Sequence, residues 1–197
     1  MTDQEIHSLF KSSGALLEGH FQLTSGLHSP NYFQCARVLQ YPSYATAVCN
    51  QIAGHFNNAD IDVVVAPAIG GIVVAQEVGR ILALTSKKSN VPRILFTERK
   101  DGVMQLRRGF SIHPGESVLV CEDVITTGGS VNEVIEIVRE LGGSVAGVGV
   151  IVDRSGLTVH FGVPFFATMT MNVITYSPDT CPLCKQGIPI DKPGSRK

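Results

Sequence analysis

Four short runs rich in β-branched residues most constrain the fold: Asp62 to Ala66 (DVVVA), Arg93 to Thr97 (RILFT), Ser117 to Cys121 (SVLVC) and Val145 to Val152 (VAGVGVIV). They show little polar alternation, so both faces of each strand must be covered, as in a parallel sheet with helices on either side. Helix-length segments lie between them, Gly71 to Leu84 and Ser130 to Leu141, the second closing on Gly142-Gly143 as a helix C-terminus does. The order β-α-β-β-α-β, followed by a further apolar run at Val163 to Met169, predicts an α/β fold.

The N-terminal third reads differently. Apolar residues fall at helical spacing from Asp3 to Leu17, behind an acid-rich start that suits a helix N-terminus. HFQLTSG and SPNYFQC then alternate aromatic and polar residues about a Ser-Gly turn, as a short hairpin would. A second helix is expected from Pro42 to about Phe56. No internal repeat or low-complexity segment is evident, and KPGSRK is the one tail-like stretch.

Charge and cysteine content narrow the function. Sixteen Lys+Arg against seventeen Asp+Glu give a net charge of −1, so no global positive field draws in nucleic acid or an anionic membrane, and neither is an expected partner. Hydrophobic residues make up 44% and charged residues 17%, the balance of a chain with a sizeable core. The uncharged stretch Val63 to Gln76 is too short to span a bilayer and is broken by Pro67, Gly70 and Gly71. MTDQEIHSLFKSSG has acids where a secretory signal has basic residues, so a cytoplasmic protein is expected. Five cysteines without such a signal predict reduced thiols. Cys181 and Cys184 form a CxxC, but that offers two ligands where a structural zinc needs four, and no His pair at ligand spacing accompanies it. Structural thiols are expected there, with a two-ligand or intersubunit metal role as the lesser alternative.

The chemistry concentrates in Ser117 to Glu140. An apolar strand delivers adjacent carboxylates, Glu122 and Asp123, then the loop VITTGGS, then an amphipathic helix. In an open parallel sheet, ligands sit beyond the carboxyl ends of the strands, where this order places acids and loop together. Thr126, Thr127, Gly128, Gly129 and Ser130 supply hydroxyls and backbone N–H groups at a helix start, a phosphate cradle. The acids suit sugar hydroxyls or the water shell of a divalent metal, so the two halves together describe a sugar phosphate. Taken alone, TTGGS is as readily a plain turn and helix cap. Neither GxxxxGK[ST] nor GxGxxG is present, which disfavours P-loop NTPases and dinucleotide enzymes.

VLVCEDVITTGGS closely resembles the phosphoribosyl-pyrophosphate (PRPP) signature of the type I phosphoribosyltransferases. TSGLHSPNYFQ resembles the N-terminal hood of the orotate phosphoribosyltransferase family, APAIGGIVVAQEVGRIL its pyrophosphate loop and helix, and VIVDRSG its orotate-contacting segment. CPLCKQGIP and PGSRK resemble the C-terminal end of one bacterial branch, so the likeness runs from about Leu16 to Arg196. The resemblance implies one domain over 1–197, a Rossmann-like parallel β-sheet flanked by helices, with about 1–40 and the C-terminal segment forming the hood and about 60–170 the core. It places Glu122 and Asp123 on the ribose, near a Mg²⁺ cofactor held through PRPP and water and not ligated directly by protein. Val124, Ile125 and Thr126 to Ser130 complete the PRPP run, Gly70 and Gly71 receive the pyrophosphate, and Thr126, Arg154 and His28 lie at orotate.

Glu98 to Phe110 (ERKDGVMQLRRGF) is similar to the family's mobile loop, which reaches into the neighbouring subunit of a homodimer with shared sites. Lys100 first and Arg99 second are then the catalytic cations, beside Asp123. A solvated β-hairpin is the plain alternative for this stretch, a strand-to-helix turn for Gly70-Gly71, and an ion pair with Asp153 for Arg154. The lysines that the family often carries in the pyrophosphate loop and the hood are here Gly70 and His28. The activity implied is orotate phosphoribosyl transfer; the rivals are a transferase for another base and a PRPP-sensing regulator without turnover.

Overall fold

The computed structural model describes residues 1–23, 25–85 and 91–193. Helix α1 (Asp3–Ser12) opens with a capping box, Thr2 and Glu5 each accepting the other's backbone N–H. It ends before the expected Leu17, and Ala15 and Leu16 lead into strand β1 (Leu16–Gln22), which pairs antiparallel with β2 (His28–Phe33). This is the expected hairpin; Thr24 in its connection lies outside the described residues. A short helix α2 (Ala36–Leu39), which the sequence did not announce, precedes α3 (Pro42–His55).

The main sheet contains β3 (Val63–Pro67), β4 (Arg93–Lys100), β5 (Val103–Leu106), β6 (Ser117–Ile125), β7 (Ser144–Asp153) and β8 (Phe165–Thr170). Helix α4 (Gly70–Thr85) crosses from β3 to β4 and α5 (Gly129–Glu140) from β6 to β7. Strand order is β5-β4-β3-β6-β7-β8, parallel throughout except for β5 at the edge. The apolar runs are continuous because alternate side chains enter two cores. Val64, Ala66, Leu119 and Cys121 join α3 and α4 on one face, with Phe10 and Phe33 of the N-terminal elements in the same cluster. Val63, Val65, Val118 and Val120 meet Val131, Val134 and Val138 of α5 on the other.

From β3 the chain winds outward through β4 to β5, and from β6 in the opposite sense to β8. The direction of winding therefore reverses between β3 and β6, which makes their carboxyl ends the switch point where this architecture opens a crevice. Beyond β8 the chain forms a 3₁₀ turn (Pro178–Thr180) and a short helix α6 (Pro182–Lys185). The C-terminal residues 194–197, part of the tail-like stretch, lie outside the described residues. All five cysteines are free thiols. Among the described residues, no helix is long and apolar enough to cross a membrane.

Candidate active site

Strand β6 is longer than its apolar run, and Glu122 and Asp123 lie within its last turns of pleat. Successive side chains leave the strand on opposite faces, with Glu122 buried and Asp123 half-exposed, but the two carboxyl groups stay close enough to interact. Each sits beside backbone it can accept from, Glu122 Oε1 from Asp123 N–H (3.0 Å) and Asp123 Oδ1 from Val124 N–H (2.9 Å). The loop at the end of β3 closes on them. A Cβ on Gly70 would collide with the Asp123 carboxylate, and one on Gly71 would stand 3.0 Å from Glu122 Oε1 and 2.9 Å from Ala66 Cβ. Any side chain at Gly70 would therefore have to displace Asp123.

Burial, and after it the adjacent Asp123 charge, pushes the Glu122 carboxyl up from 4.5 to about 9. Glu122 is then protonated at neutral pH in the free protein. The folded state holds this proton more tightly than the unfolded one, so its contribution to stability is full below pH 4.5 and is lost as pH rises towards 9. Denaturant midpoints measured from pH 5 to 9 should fall more steeply for the wild type than for Glu122→Gln; parallel profiles would remove Glu122 as the titrating group.

After Ile125 the chain turns through Thr126 and Thr127, both exposed, to Gly128, whose φ of +73° is left-handed. A Cβ there would meet Val159 Cγ1 at 2.8 Å and Phe161 Cε1 at 3.0 Å. Helix α5 begins at Gly129, so its free N–H groups border a hollow of about 90 Å³ lined by Glu122 and Val124 to Val131. Thr126 and Thr127 also form one wall of a wider cleft of about 570 Å³, with Asn132, Arg154, Ser155 and Thr158 on the others. The two spaces share Thr126 and Thr127 as lining residues.

Arg154 follows β7, which runs beside β6, and its N–H is bound by Ile125 O at 2.9 Å. It does not pair with Asp153: among the described residues Asp153 Oδ1 accepts from Ser155 N–H (2.7 Å), and Arg154 Nε is buried without a hydrogen-bond partner. Burial pulls the guanidinium below its ordinary pKa, opposed by the nearby Tyr32 of β2. An unpartnered, partly buried guanidinium facing a cleft is a receptor for a planar anion. Tyr32 stands in the hood motif and Asn132 within Ser117 to Glu140, neither with a role; no local pattern there points to a ligand.

The stretch similar to a mobile loop is a β-hairpin here, Arg99 pairing with Met104 and Lys100 with Val103 about an Asp101-Gly102 turn. Arg99 is held at its far end, donating to Glu133 Oε1 (2.7 Å) on α5 and to Gly102 O (2.6 Å). Lys100 has no side-chain partner among the described residues, so of the two cations it is the one free to meet a ligand. Arg108 is taken up by Glu98 (2.8 Å).

Of the sequence-predicted site residues, His28 is the one engaged in a different cluster. It is only 3% exposed, and its Nδ1 lies 3.0 Å from His20 Nε2 and 3.3 Å from Cys184 Sγ. Nδ1 is therefore taken up by the His20–Cys184 cluster. The expectation of an isolated CxxC is likewise corrected, since His20, His28, Cys181 and Cys184 converge.

A family model described as phosphoribosyl transferase domain matches residues 37–160, which contain β3 to β7 and both crevice loops. The chain is 57% identical over its full length to an orotate phosphoribosyltransferase of Chlorobaculum parvum, covering 97% of that protein. The chain belongs to the orotate phosphoribosyltransferase family. A second member, from Pelotomaculum thermopropionicum, is also 57% identical with both chains covered completely. Among solved structures of the family, the enzyme from Aeropyrum pernix superposes with a TM-score of 0.68 at 26% identity, covering 84% of this chain and 93% of that one. The type I phosphoribosyltransferase fold implied by VLVCEDVITTGGS is thus present.

Proposed function

We propose that the protein transfers the phosphoribosyl group of PRPP to N1 of orotate, giving orotidine 5′-monophosphate and pyrophosphate in pyrimidine biosynthesis. The observation that carries this reading is that the α5 cradle and the Arg154 cleft are adjacent, with Thr126 and Thr127 lining both. One space suits a 5′-phosphate, the next a ring bearing a carboxylate. In this reading the threonines, Gly128, Gly129 and Ser130 hold the phosphate, Glu122 and Asp123 the ribose hydroxyls, the Gly70-Gly71 backbone the pyrophosphate, and Arg154 the orotate carboxylate.

Deprotonated orotate N1 is itself a competent nucleophile, so no Ser or Cys nucleophile is needed; the C1′–N1 bond forms as the C1′–O bond to pyrophosphate breaks. The protein's task is to position the reactants and stabilise charge. Lys100 meets negative charge that grows on the departing oxygens, an interaction stronger in the transition state than before it. The donors near the acid pair fit Mg²⁺: two hard carboxylates, one of them forced to hold a proton by burial and its neighbour, are relieved by a nearby divalent cation. Bound with PRPP, Mg²⁺ supplies charge neutralisation to the leaving group. A cytoplasmic homodimer with the β4–β5 hairpin at the partner's site belongs to the same proposal. Sedimentation at twice the chain mass supports the dimer, and an active monomer removes it.

The test separates the two spaces. Arg154→Ala should raise the orotate KM by about 10- to 100-fold, the value of a charge-assisted hydrogen-bonded pair, and leave the PRPP KM nearly unchanged. An equal rise in both would make Arg154 a structural residue.

A further inference from the structure

At the outer edge of the β1–β2 hairpin, four side chains from three parts of the chain point at one another. His20 lies on β1, His28 on β2, and Cys181 and Cys184 flank the start and body of α6. Their ligand atoms all lie within 4.8 Å of one another. His20 Nε2 is 3.0 Å from His28 Nδ1, 3.5 Å from Cys181 Sγ and 3.7 Å from Cys184 Sγ, and His28 Nδ1 is 3.3 Å from Cys184 Sγ. A tetrahedron with Zn–N near 2.0–2.1 Å and Zn–S near 2.3 Å has edges of about 3.3 to 3.8 Å. Four of the six edges fall within about 0.4 Å of these values, and the other two are no longer than 4.8 Å.

Three further features belong to a metal site. His20 Nδ1 lies 2.8 Å from Ile188 O, and a carbonyl can only accept, so Nδ1 carries the proton and Nε2 presents its lone pair to the cluster. His20, His28 and Cys181 are buried, with Cys184 at the solvent edge. The segment that carries the thiols also lacks a core of its own: from 171 to 193, Cys181 is the only buried residue. This segment is laid on the hairpin by backbone pairs, His28 with Tyr176 and Phe21 with Asp191. A few backbone hydrogen bonds with little apolar burial hold a chain weakly, and short segments of this kind are commonly fastened by a metal or a disulfide.

We propose that His20, His28, Cys181 and Cys184 form a tetrahedral structural zinc site that fastens the C-terminal segment onto the hairpin. Two thiolates and two neutral imidazoles are a soft, borderline donor set that selects zinc over Mg²⁺ or Ca²⁺. All four positions are filled by protein, so the ion has no open position for catalysis. The site is independent of the transferase reading and stands or falls separately from it.

The experiment uses the full chain made without a polyhistidine tag. Elemental analysis should find about one zinc per chain, released stoichiometrically when a mercurial titrates the thiols. Exchange into cobalt should give the intense visible bands of four-coordinate cobalt with thiolate-to-metal charge transfer, and metal removal should lower the Tm. The double variant Cys181→Ser/Cys184→Ser should bind no zinc. Because that variant can fail to fold, the cobalt spectrum of the wild type decides the matter without it. A six-coordinate cobalt spectrum, a wild-type protein that binds no zinc when supplied with it, or a Cys181–Cys184 disulfide as the resting state would overturn the proposal.

Discussion

Asp123→Asn is expected to lower kcat/KM for PRPP by about 10²- to 10³-fold, the scale on which a single preorganised charged group acts in a transition state. The side chain stands at the switch point against the Gly70 backbone, so Asn fills the same space without the charge. The fold should not suffer. Asp123 is one of the causes that raise the Glu122 pKa, so removing its charge lets Glu122 ionise at lower pH while Asn keeps the volume and a hydrogen-bonding side chain, and the Tm should hold. Steady-state kinetics and thermal melting on the same preparation check both halves. Near-normal activity would take the acid pair out of the mechanism, and a collapsed Tm would show that Asp123 acts on the fold.

Gly128→Val should damage the cradle and the fold together. Its φ of +73° is costly for a β-branched residue, by about 1–2 kcal/mol. The new Cβ would also press on Val159 and Phe161, and overpacking of this kind costs about 1–3 kcal/mol. For a chain of this size a combined loss near 3 kcal/mol lowers Tm by about 6–12 °C. PRPP affinity should fall by more than the orotate affinity, because Gly128 is the residue that turns Thr126 and Thr127 into the start of α5. A variant with wild-type Tm and unaltered PRPP KM would show that the left-handed turn is not required.

The core strands were legible because nothing else explains DVVVA and SVLVC, runs of β-branched residues whose alternate members enter two separate cores. Strand β5 was legible only as the hairpin alternative to a mobile loop, because VMQL is a short edge strand that buries Met104 but leaves Val103 exposed, a pattern close to that of a polar loop. The first helix was expected to run to Leu17 because apolar spacing continues past Ser12. The stop comes from Gly14, left-handed at φ +68°, after which the same apolar residues turn into β1.

The cradle and acid pair were readable since one strand, one loop and one helix carry them in succession. The contact of Gly70 with Asp123 was not, because it depends on β3 and β6 being neighbours across the reversal of winding. Arg154 stood equally well as an ion-pair partner of Asp153 until its unpartnered Nε settled the local alternative. Cys181 and Cys184 announced themselves by spacing. Their partners did not, because His20 and His28 lie more than a hundred residues away and meet the thiols only when the C-terminal segment returns to the hairpin.

In the proposed reaction one crevice joins PRPP to a base recognised by its carboxylate. The most direct measurement supplies the purified protein with PRPP, Mg²⁺ and, in separate reactions, orotate, uracil, adenine or guanine, and follows loss of base against release of pyrophosphate. Turnover of orotate alone, with one pyrophosphate released for each base consumed, is the result predicted. Equal or faster turnover of a base without a carboxylate, or PRPP binding with no base consumed, would contradict it.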